Sequence, residues 1–250
     1  MSSVSSVVVG RLRAAGCVFA EDEARLLAEA GGDLEDLVAR RVAGEPLEQV
    51  LGWAAFRGLR IAVEPGVFVP RRRTELLVRL GIPLVRAGSV VVELCCGAGA
   101  VAAALAATVP GLEVHAADVD PVAVRCARRN VPGAVYEGDL DAPLPESLRG
   151  RVGLLVANAP YVPSAAVPLM PPEARLHEPL TALDGGPDGL TVLRRVVALA
   201  PAWLAPGGHL VVESSAAQAP ALAAAATAAG LTPVVHEADD LGATAVLCRS

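Results

Sequence analysis

Four polar side chains stand at the ends of short apolar runs in the middle of this sequence. They are Glu93, Asp118, Asp139 and Asn158. If these runs are neighbouring parallel strands, their carboxyl ends meet at one edge of a sheet, which is where ligands bind in such folds. Asp118 can accept hydrogen bonds from ribose hydroxyls, and Asp139 can reach an adenine amino group. Each residue alone is more typical of a helix cap or a turn, but together they predict a nucleoside site.

A short turn with two glycines follows the first of these strands. The segment from Cys95 to Gly99 separates a β-branched run at residues 90–94 from an Ala-rich helical pattern that ends at Ala107. The glycines allow the backbone to come close to a ligand, and the start of the helix presents free N–H groups. Asp118 lies about twenty residues further on, where an acid contacts the ribose in such sites. The turn lacks the third glycine of a dinucleotide fingerprint, which favours S-adenosylmethionine over NAD.

The tetrapeptide Asn158-Ala159-Pro160-Tyr161 carries the most specific chemistry. An amide or exocyclic nitrogen is a poor nucleophile because its lone pair is delocalised. The Asn158 side-chain oxygen and the Ala159 carbonyl can accept hydrogen bonds from both N–H groups of such a nitrogen, and Tyr161 can pack on its planar group. Catalysis is then mainly positioning for an in-line displacement, helped by acceptors that stabilise positive charge growing on the nitrogen. The tetrapeptide alone is also compatible with a simple turn.

Alternating strand and helix patterns run from residue 90 to the end of the chain. They predict a parallel sheet with helices on both faces, and therefore a Rossmann-like α/β fold. Before it, three helical patterns occupy residues 4–15, 20–30 and 33–43, and a hairpin is predicted around Arg57-Gly58. Thr74 is expected to cap a helix over residues 76–86. The three arginines before Thr74 are interpreted either as a solvated surface or as part of the mouth of the site.

Composition excludes several classes of function. The net charge of −6 argues against broad binding to nucleic acid or anionic membranes. All 21 basic residues are Arg, which excludes lysine chemistry. The five cysteines and four histidines lack the spacing of a disulfide framework or a zinc site, so no metal is expected. No signal-peptide pattern and no membrane-spanning run is present, and we expect a cytoplasmic protein.

These motifs resemble the HemK/PrmC family of protein-(glutamine-N5) methyltransferases, which modify the Gly-Gly-Gln glutamine of peptide chain release factors. The resemblance covers most of the chain. It rests on Glu45-Pro46, Gly52, Phe68 to Arg71, Thr74-Glu75, Glu93 to Gly99, Asp118, Asp139, Asn158 to Tyr161, Glu178 to Leu183, Gly189-Leu190 and Pro206 to Gly208. It implies a class I S-adenosylmethionine-dependent methyltransferase sheet with a small N-terminal helical domain.

The resemblance also implies a division of the chain and the roles of single residues. Residues 1–50 would form a helical substrate-binding domain, residues 51–70 a hairpin linker, and residues 71–250 the methyltransferase domain. The residues expected to bind the target glutamine are Asn158, Ala159, Pro160 and Tyr161. The residues expected to bind S-adenosylmethionine are Glu93, Cys95, Cys96, Gly97, Ala98, Gly99, Asp118, Asp139, Leu140 and Asn158, with Leu140 facing the adenine.

Three departures from the family pattern bear on the substrate. Asn-Ala-Pro-Tyr replaces Asn-Pro-Pro-Tyr, Cys95-Cys96 replaces Gly-Thr, and the N-terminal domain is short. Because the second acceptor is a main-chain carbonyl, methyl transfer is expected to survive the change at Ala159. The expected partner is a release factor, without a membrane or stable nucleic-acid complex. The alternatives are a small-molecule N-methyltransferase, an adenine-N6 methyltransferase, against which the acidic charge weighs, and a non-enzymatic nucleoside-binding protein.

Overall fold

A seven-stranded sheet, covered by helices on both faces, forms the centre of the molecule. The computed structural model describes residues 6–250. Within these residues, four short helices come first and a two-stranded hairpin follows them. This arrangement confirms the predicted Rossmann-like α/β fold with N-terminal helices.

The N-terminal helices have an apolar cluster of their own. They are α1 Ser6–Ala14, α2 Ala20–Glu29, α3 Leu34–Val42 and α4 Leu47–Leu51. Residues 4 and 5, which the first helical pattern includes, lie outside the described residues. The Asp33 carboxylate caps α3 by accepting a hydrogen bond from the Glu35 N–H at 2.9 Å. The sequence does not predict α4, because five residues are too few to show a helical period. The cluster includes Val8, Leu12, Leu27, Val38 and Val50.

The hairpin connects these helices to the sheet. Strands β1 Trp53–Phe56 and β2 Leu59–Ala62 are joined by Arg57-Gly58. Both turn residues have positive φ, 51° and 78°, as a type I′ turn requires. Phe56 and Ile61 are buried in the apolar cluster on one face of the large sheet, so the hairpin packs on that face. The division at residues 50 and 70 stays a prediction.

The large sheet follows the order β5-β4-β3-β6-β7-β9-β8. Its strands are β3 Val90–Leu94, β4 Glu113–Asp118, β5 Ala134–Glu137, β6 Val152–Ala157, β7 Leu204–Ser214, β8 Thr232–Ala238 and β9 Ala243–Arg249. Strands β5, β4, β3, β6 and β7 are parallel to one another. The order of the strands reverses at β3, which lies between β4 and β6. Such a switch point is where open α/β sheets bind ligands.

The prediction of a fully parallel sheet is wrong at its last strand. Strand β9 is antiparallel to both β7 and β8. Only four residues, 239–242, separate β8 from β9. A parallel pair needs a crossover of a dozen residues or more, so this short turn requires a hairpin. The sheet is therefore mixed.

Helices pack on both faces of the sheet. They are α5 Glu75–Gly81, α6 Ala100–Thr108, α7 Pro121–Ala127, α9 Thr191–Trp203 and α10 Ala219–Ala228, while the short helix α8 Pro172–His177 lies in the segment between β6 and α9. Leu155 packs with Trp203 on one face, and Leu154 with Leu105 on the other, as the alternation of a strand requires. Helix α5 ends earlier than predicted because Pro83 cannot donate the next helical hydrogen bond. In residues 6–250, no helix has the length and apolarity needed to cross a membrane.

Candidate active site

A cavity of about 340 Å³ lies at the carboxyl ends of β3, β4 and β6. Nearly all the predicted site residues line it: Glu93, Cys95, Cys96, Gly97, Ala98, Asp118, Asp139, Leu140, Asn158, Ala159, Pro160 and Tyr161. Gly99 is the exception. Its φ is +74°, and a Cβ there would stand 2.4 Å from Val131 Cγ2. Gly99 is therefore required for the close packing of the start of α6 on the segment that follows α7, and it does not line the cavity.

The glycine turn is tied to the end of the neighbouring strand. The Gly97 N–H donates a hydrogen bond to Asp118 Oδ2 at 2.8 Å, and the Asp120 N–H donates to Oδ1 at 2.9 Å. Cys95 and Leu140 have φ values of 53° and 52°. L-residues in this left-handed region are strained, and such residues are concentrated at functional sites. Both of them line the cavity.

Glu93 is a buried carboxyl group at the end of β3. Its Oε2 accepts a hydrogen bond from the Ala102 N–H, in the first turn of α6, at 2.8 Å. Burial raises the pKa of Glu93 to about 8, although the N–H groups of Ala102 and Val101 oppose the shift. The side chain therefore holds its proton at neutral pH, and its role at this edge of the sheet includes the packing of α6.

The stability of the protein is expected to depend on pH through Glu93. Below the ordinary pKa of 4.5, both the folded and the unfolded form are protonated. As the pH rises to about 8, the unfolded form loses its proton first. The free energy of unfolding should therefore fall by about 1.4 kcal/mol for each pH unit in this window. Urea unfolding of the wild type and Glu93→Gln at pH 5, 6 and 7 checks this. The Glu93→Gln variant should lose this dependence of the free energy of unfolding on pH. The control Glu113→Gln, at an exposed position, should keep it.

Asp118 and Asp139 occupy different environments in the cavity. Burial raises the pKa of Asp118, while the N–H groups of Asp120 and Gly97 lower it. A carboxylate accepts up to about four hydrogen bonds, so Asp118 keeps acceptor capacity for a ligand hydroxyl. Asp139 is exposed and forms an ion pair with Arg195 at 2.7 Å. Arg195 also lines the cavity, a contact that the sequence does not predict.

The side chain of Asn158 forms part of the cavity wall. Its Nδ2 donates a hydrogen bond to Thr74 Oγ1 at 3.1 Å, and within residues 6–250 no side chain or backbone group donates to its Oδ1. The prediction that Thr74 caps the following helix is wrong. Thr74 has helical φ and ψ, −66° and −14°, whereas a cap needs extended geometry, and its side chain makes no capping hydrogen bond. Thr74 therefore orients Asn158.

Tyr161 and Arg73 share a buried glutamate. The Tyr161 hydroxyl donates to Glu213 Oε1 at 2.9 Å, and Arg73 Nε donates to the same oxygen at 3.0 Å. The Arg73 guanidinium carbon lies 5.6 Å from the centre of the Tyr161 ring. Burial and the neighbouring Glu213 raise the pKa of Tyr161, so its hydroxyl remains a donor. This network fixes the ring of Tyr161 against the cavity.

The arginine run lies at the mouth of the cavity, which decides between its two interpretations. Arg71 and Arg73 both line the cavity, whereas Arg72 does not. Arg71 donates to the buried Glu178 at 2.6 Å, and Glu178 also accepts from the Val69 N–H at 3.1 Å. Two of the three arginines therefore hold buried carboxylates at the site.

Comparison with known proteins identifies the family. Residues 58–168 match the methyltransferase small domain family. A release factor glutamine methyltransferase from Moorella thermoacetica is 37% identical, over 85% of this chain and 77% of the relative. One from Streptomyces coelicolor is 44% identical, over 73% of this chain and 67% of the relative. The chain belongs to the HemK/PrmC family of protein-(glutamine-N5) methyltransferases. A 4-amino-L-phenylalanine/4-methylamino-L-phenylalanine methyltransferase from Streptomyces pristinaespiralis is also similar, at 37% identity over 85% of this chain and 81% of the relative.

Solved structures agree with the fold of this HemK/PrmC chain. A 16S rRNA N2 G1207 methyltransferase from Thermus thermophilus superposes with a TM-score of 0.58 at 21% identity, covering 79% of this chain and 49% of that one. A ribosomal protein L11 methylase from Lactobacillus delbrueckii gives 0.55 at 17% identity, covering 75% and 83%. Both are methyltransferases built on the same kind of sheet.

The cavity fits S-adenosylmethionine, the cofactor of the HemK/PrmC family. Gly97 has open space where a Cβ would stand, with only Phe68 Cβ at 4.0 Å, so the turn leaves room for a ligand. Asp118 and Asp139 supply acceptors beside it. Burial raises the pKa of the Cys95 and Cys96 thiols, which keeps both protonated and excludes thiolate chemistry at neutral pH.

Gln218 is a site residue that the sequence does not reveal. Its Nε2 donates to the carbonyls of Tyr161 and Asp188 at 2.9 and 3.0 Å, and its Oε1 accepts from Ser215 Oγ at 2.7 Å. A Cβ at Gly189 would stand 2.2 Å from the Tyr161 carbonyl oxygen, so only glycine fits there. Gln218 and Gly189 together fix the backbone that follows Asn158.

Replacing Gln218 with glutamate should lower kcat about tenfold while the dissociation constant for S-adenosylmethionine stays unchanged. A carboxylate cannot donate to the Tyr161 carbonyl, and a small displacement of the loop is costly when catalysis depends on positioning. Ser215→Ala is the control, since it removes the hydroxyl that donates to Oε1 and keeps both bonds that Nε2 donates. Single-turnover rates and titration calorimetry provide the two measurements. Equal losses in both variants would contradict the role of the Nε2 bonds.

Proposed function

We propose that this protein transfers the methyl group of S-adenosylmethionine to the side-chain amide nitrogen of a glutamine, the one in the Gly-Gly-Gln segment of a peptide chain release factor. The observation that carries the proposal is the position of Asn158. Its side chain lines the same cavity as Gly97 and Asp118, and its Oδ1 is without a partner in the described chain. A release factor substrate implies that the protein works in the cytoplasm.

The hydrogen-bond donors and acceptors of the cavity indicate which part of it would hold the cofactor. The turn from Cys95 to Ala98 would hold S-adenosylmethionine through its backbone, with Asp118 accepting from the ribose. Asp139 and Leu140 would hold the adenine. When bound, the cofactor supplies a methyl group that is already activated by its sulfonium. No general base is then needed before transfer.

The target half of the cavity orients the amide nitrogen. Asn158 Oδ1 and the Ala159 carbonyl would accept its two N–H groups and hold the lone pair towards the methyl group. Tyr161, fixed by Glu213, would pack on the plane of the amide. These acceptors would also stabilise the positive charge that grows on the nitrogen as the new bond forms. The nitrogen would then lose one of its two protons to solvent, which leaves a neutral methylated amide.

The N-terminal helices would help to hold the protein substrate. Arg41 of α3 is paired with the buried Glu23 at 2.6 Å and lies 3.6 Å from Glu173 of α8. Gln49 donates to the His177 carbonyl at 3.3 Å. The segment after α8, including Pro179, lines the cavity. A partner that binds the helices would therefore lie close to the cavity mouth.

Incubation of the purified protein with labelled S-adenosylmethionine and a release factor tests the proposal. Label on the Gly-Gly-Gln glutamine supports it, and a release factor in which that glutamine is replaced by alanine should take up none. Label on nucleic acid alone, or no label on any protein, would reject it.

A small-molecule acceptor is the second candidate function. Two observations favour it: the similarity to the 4-amino-L-phenylalanine methyltransferase extends over 81% of that relative, and Ala159 replaces the family's proline. An aromatic amine also has two N–H groups and a planar ring, so the same acceptors and Tyr161 would suit it. Methylation of 4-amino-L-phenylalanine, with none of the release factor, would favour this candidate.

A further inference from the structure

A second cavity, of about 410 Å³, adjoins the candidate active site. The two cavities share Arg73 and Tyr161. The rest of the second cavity is built from the carboxyl end of β7 with the residues that follow it, and from the end of β8, the start of β9 and the turn between them. Its ionisable residues from these elements are Glu213, Glu237 and Asp239. A substrate held against Tyr161 can therefore extend from one cavity into the other.

The second cavity has an excess of negative charge. Its three carboxylates face one guanidinium, that of Arg73, which is already paired with Glu213 Oε1 at 3.0 Å. Glu237 and Asp239 are exposed, and neither forms an ion pair with any residue from 6 to 250. An anionic group would be repelled here and a cationic one attracted.

Glu213 adds an acceptor whose bonding is incomplete. Its side chain is only 2% exposed. Oε1 accepts from both Tyr161 and Arg73, whereas Oε2 is buried and has no hydrogen-bond partner within residues 6–250. A buried carboxylate oxygen without a donor is costly, and a donor in the cavity would complete its bonding.

We propose that the second cavity is a subsite for a cationic group, an ammonium or a guanidinium, on the substrate that presents its nitrogen to Asn158. The inference rests on the proposed function, since it concerns the same methyl acceptor. In a polypeptide the cation is the side chain of a lysine or arginine near the target glutamine. Charge-assisted hydrogen bonds to Glu213 and attraction to Glu237 and Asp239 would hold it.

Two glutamine peptides test the subsite. They differ only in the residues that flank the Gly-Gly-Gln segment, lysine in one and glutamate in the other. The wild type should methylate the lysine peptide with a KM about tenfold lower, because each exposed pair contributes up to about fivefold. Glu237→Gln combined with Asp239→Asn should reduce this preference to about twofold, and salt should weaken it in the wild type.

Asp240→Asn is the matched control. Asp240 lies in the same turn but pairs with Arg79 at 3.1 Å and is not part of the cavity. This variant removes one charge and should keep the full preference for the lysine peptide. A wild type that uses both peptides equally well, or a preference that survives the double substitution, overturns the subsite.

A free amino acid supplies the same charge through its α-ammonium group, and a second arm separates this source. If 4-amino-L-phenylalanine is methylated in place of the peptides, its Nα-acetyl derivative, which lacks the positive charge, should have a higher KM than the free amino acid. This difference should shrink when Glu237 and Asp239 are both replaced. If no acceptor is methylated, the proposed function fails, and fluorescence anisotropy of the labelled peptides decides the subsite. Tighter binding of the lysine peptide, lost in the double variant, supports it, and equal binding overturns it.

Discussion

Replacing Asn158 with alanine is expected to lower kcat about a thousandfold, because removal of one preorganised group at a reacting centre typically has an effect of this size. The side chain supplies the Oδ1 acceptor that would hold one N–H of the target nitrogen. Its anchor, the 3.1 Å bond to Thr74, lies on the far side of the amide. The variant should bind S-adenosylmethionine with nearly the wild-type dissociation constant, so calorimetry and single-turnover rates together isolate the chemical step.

The variants Asn158→Asp and Thr74→Ser distinguish the loss of the Oδ1 acceptor from the loss of the hydrogen bond between Asn158 and Thr74. Aspartate keeps an oxygen towards the target but cannot donate to Thr74 Oγ1, and we expect a loss smaller than that of alanine. Serine keeps the hydroxyl, and its kcat should remain close to the wild-type value. If Asn158→Ala weakened cofactor binding as much as it lowered kcat, Asn158 would be a cofactor residue and not a group that orients the target.

The positions of the site residues could be predicted because they depend on strand ends. Apolar runs such as β3 and β6 must be buried on both faces, which fixes them as central parallel strands. Glu93 and Asn158 then lie at the same edge of the sheet whatever the details of the helices. This is why nearly all the predicted residues line one cavity, and why Gly99, one residue before α6, does not.

The partners of these residues could not be predicted, since they are distant in the chain. Thr74 and Asn158 are 84 positions apart in the sequence, and Arg73 and Glu213 are 140 positions apart. No local period marks such pairs, and the hydroxyl of Thr74 before a helical pattern is more typical of a cap. The bonds of Gln218 to the loop after Asn158 are hidden for the same reason.

Replacing Asp118 with alanine is expected to raise the dissociation constant for S-adenosylmethionine about a hundredfold, since hydrogen bonds to a charged group contribute about 1.5–3 kcal/mol each. The substitution would remove the acceptor for the ribose. It would also leave the Gly97 N–H without its 2.8 Å bond, so the glycine turn would lose the contact that ties it to β4. Asp118→Asn keeps one acceptor oxygen, and its loss should be closer to tenfold.

Asp120→Ala is the matched control for this prediction. Asp120 also lines the cavity, but its Oδ1 caps α7 by accepting from the Val122 N–H at 2.8 Å. Loss of a cap of this kind destabilises a protein by about 1 kcal/mol and should leave cofactor affinity nearly unchanged. Calorimetric titration and thermal unfolding of the three variants separate the two effects. Equal weakening in Asp118→Ala and Asp120→Ala would mean that disorder of the β4–α7 connection, and not a lost ribose acceptor, explains the result.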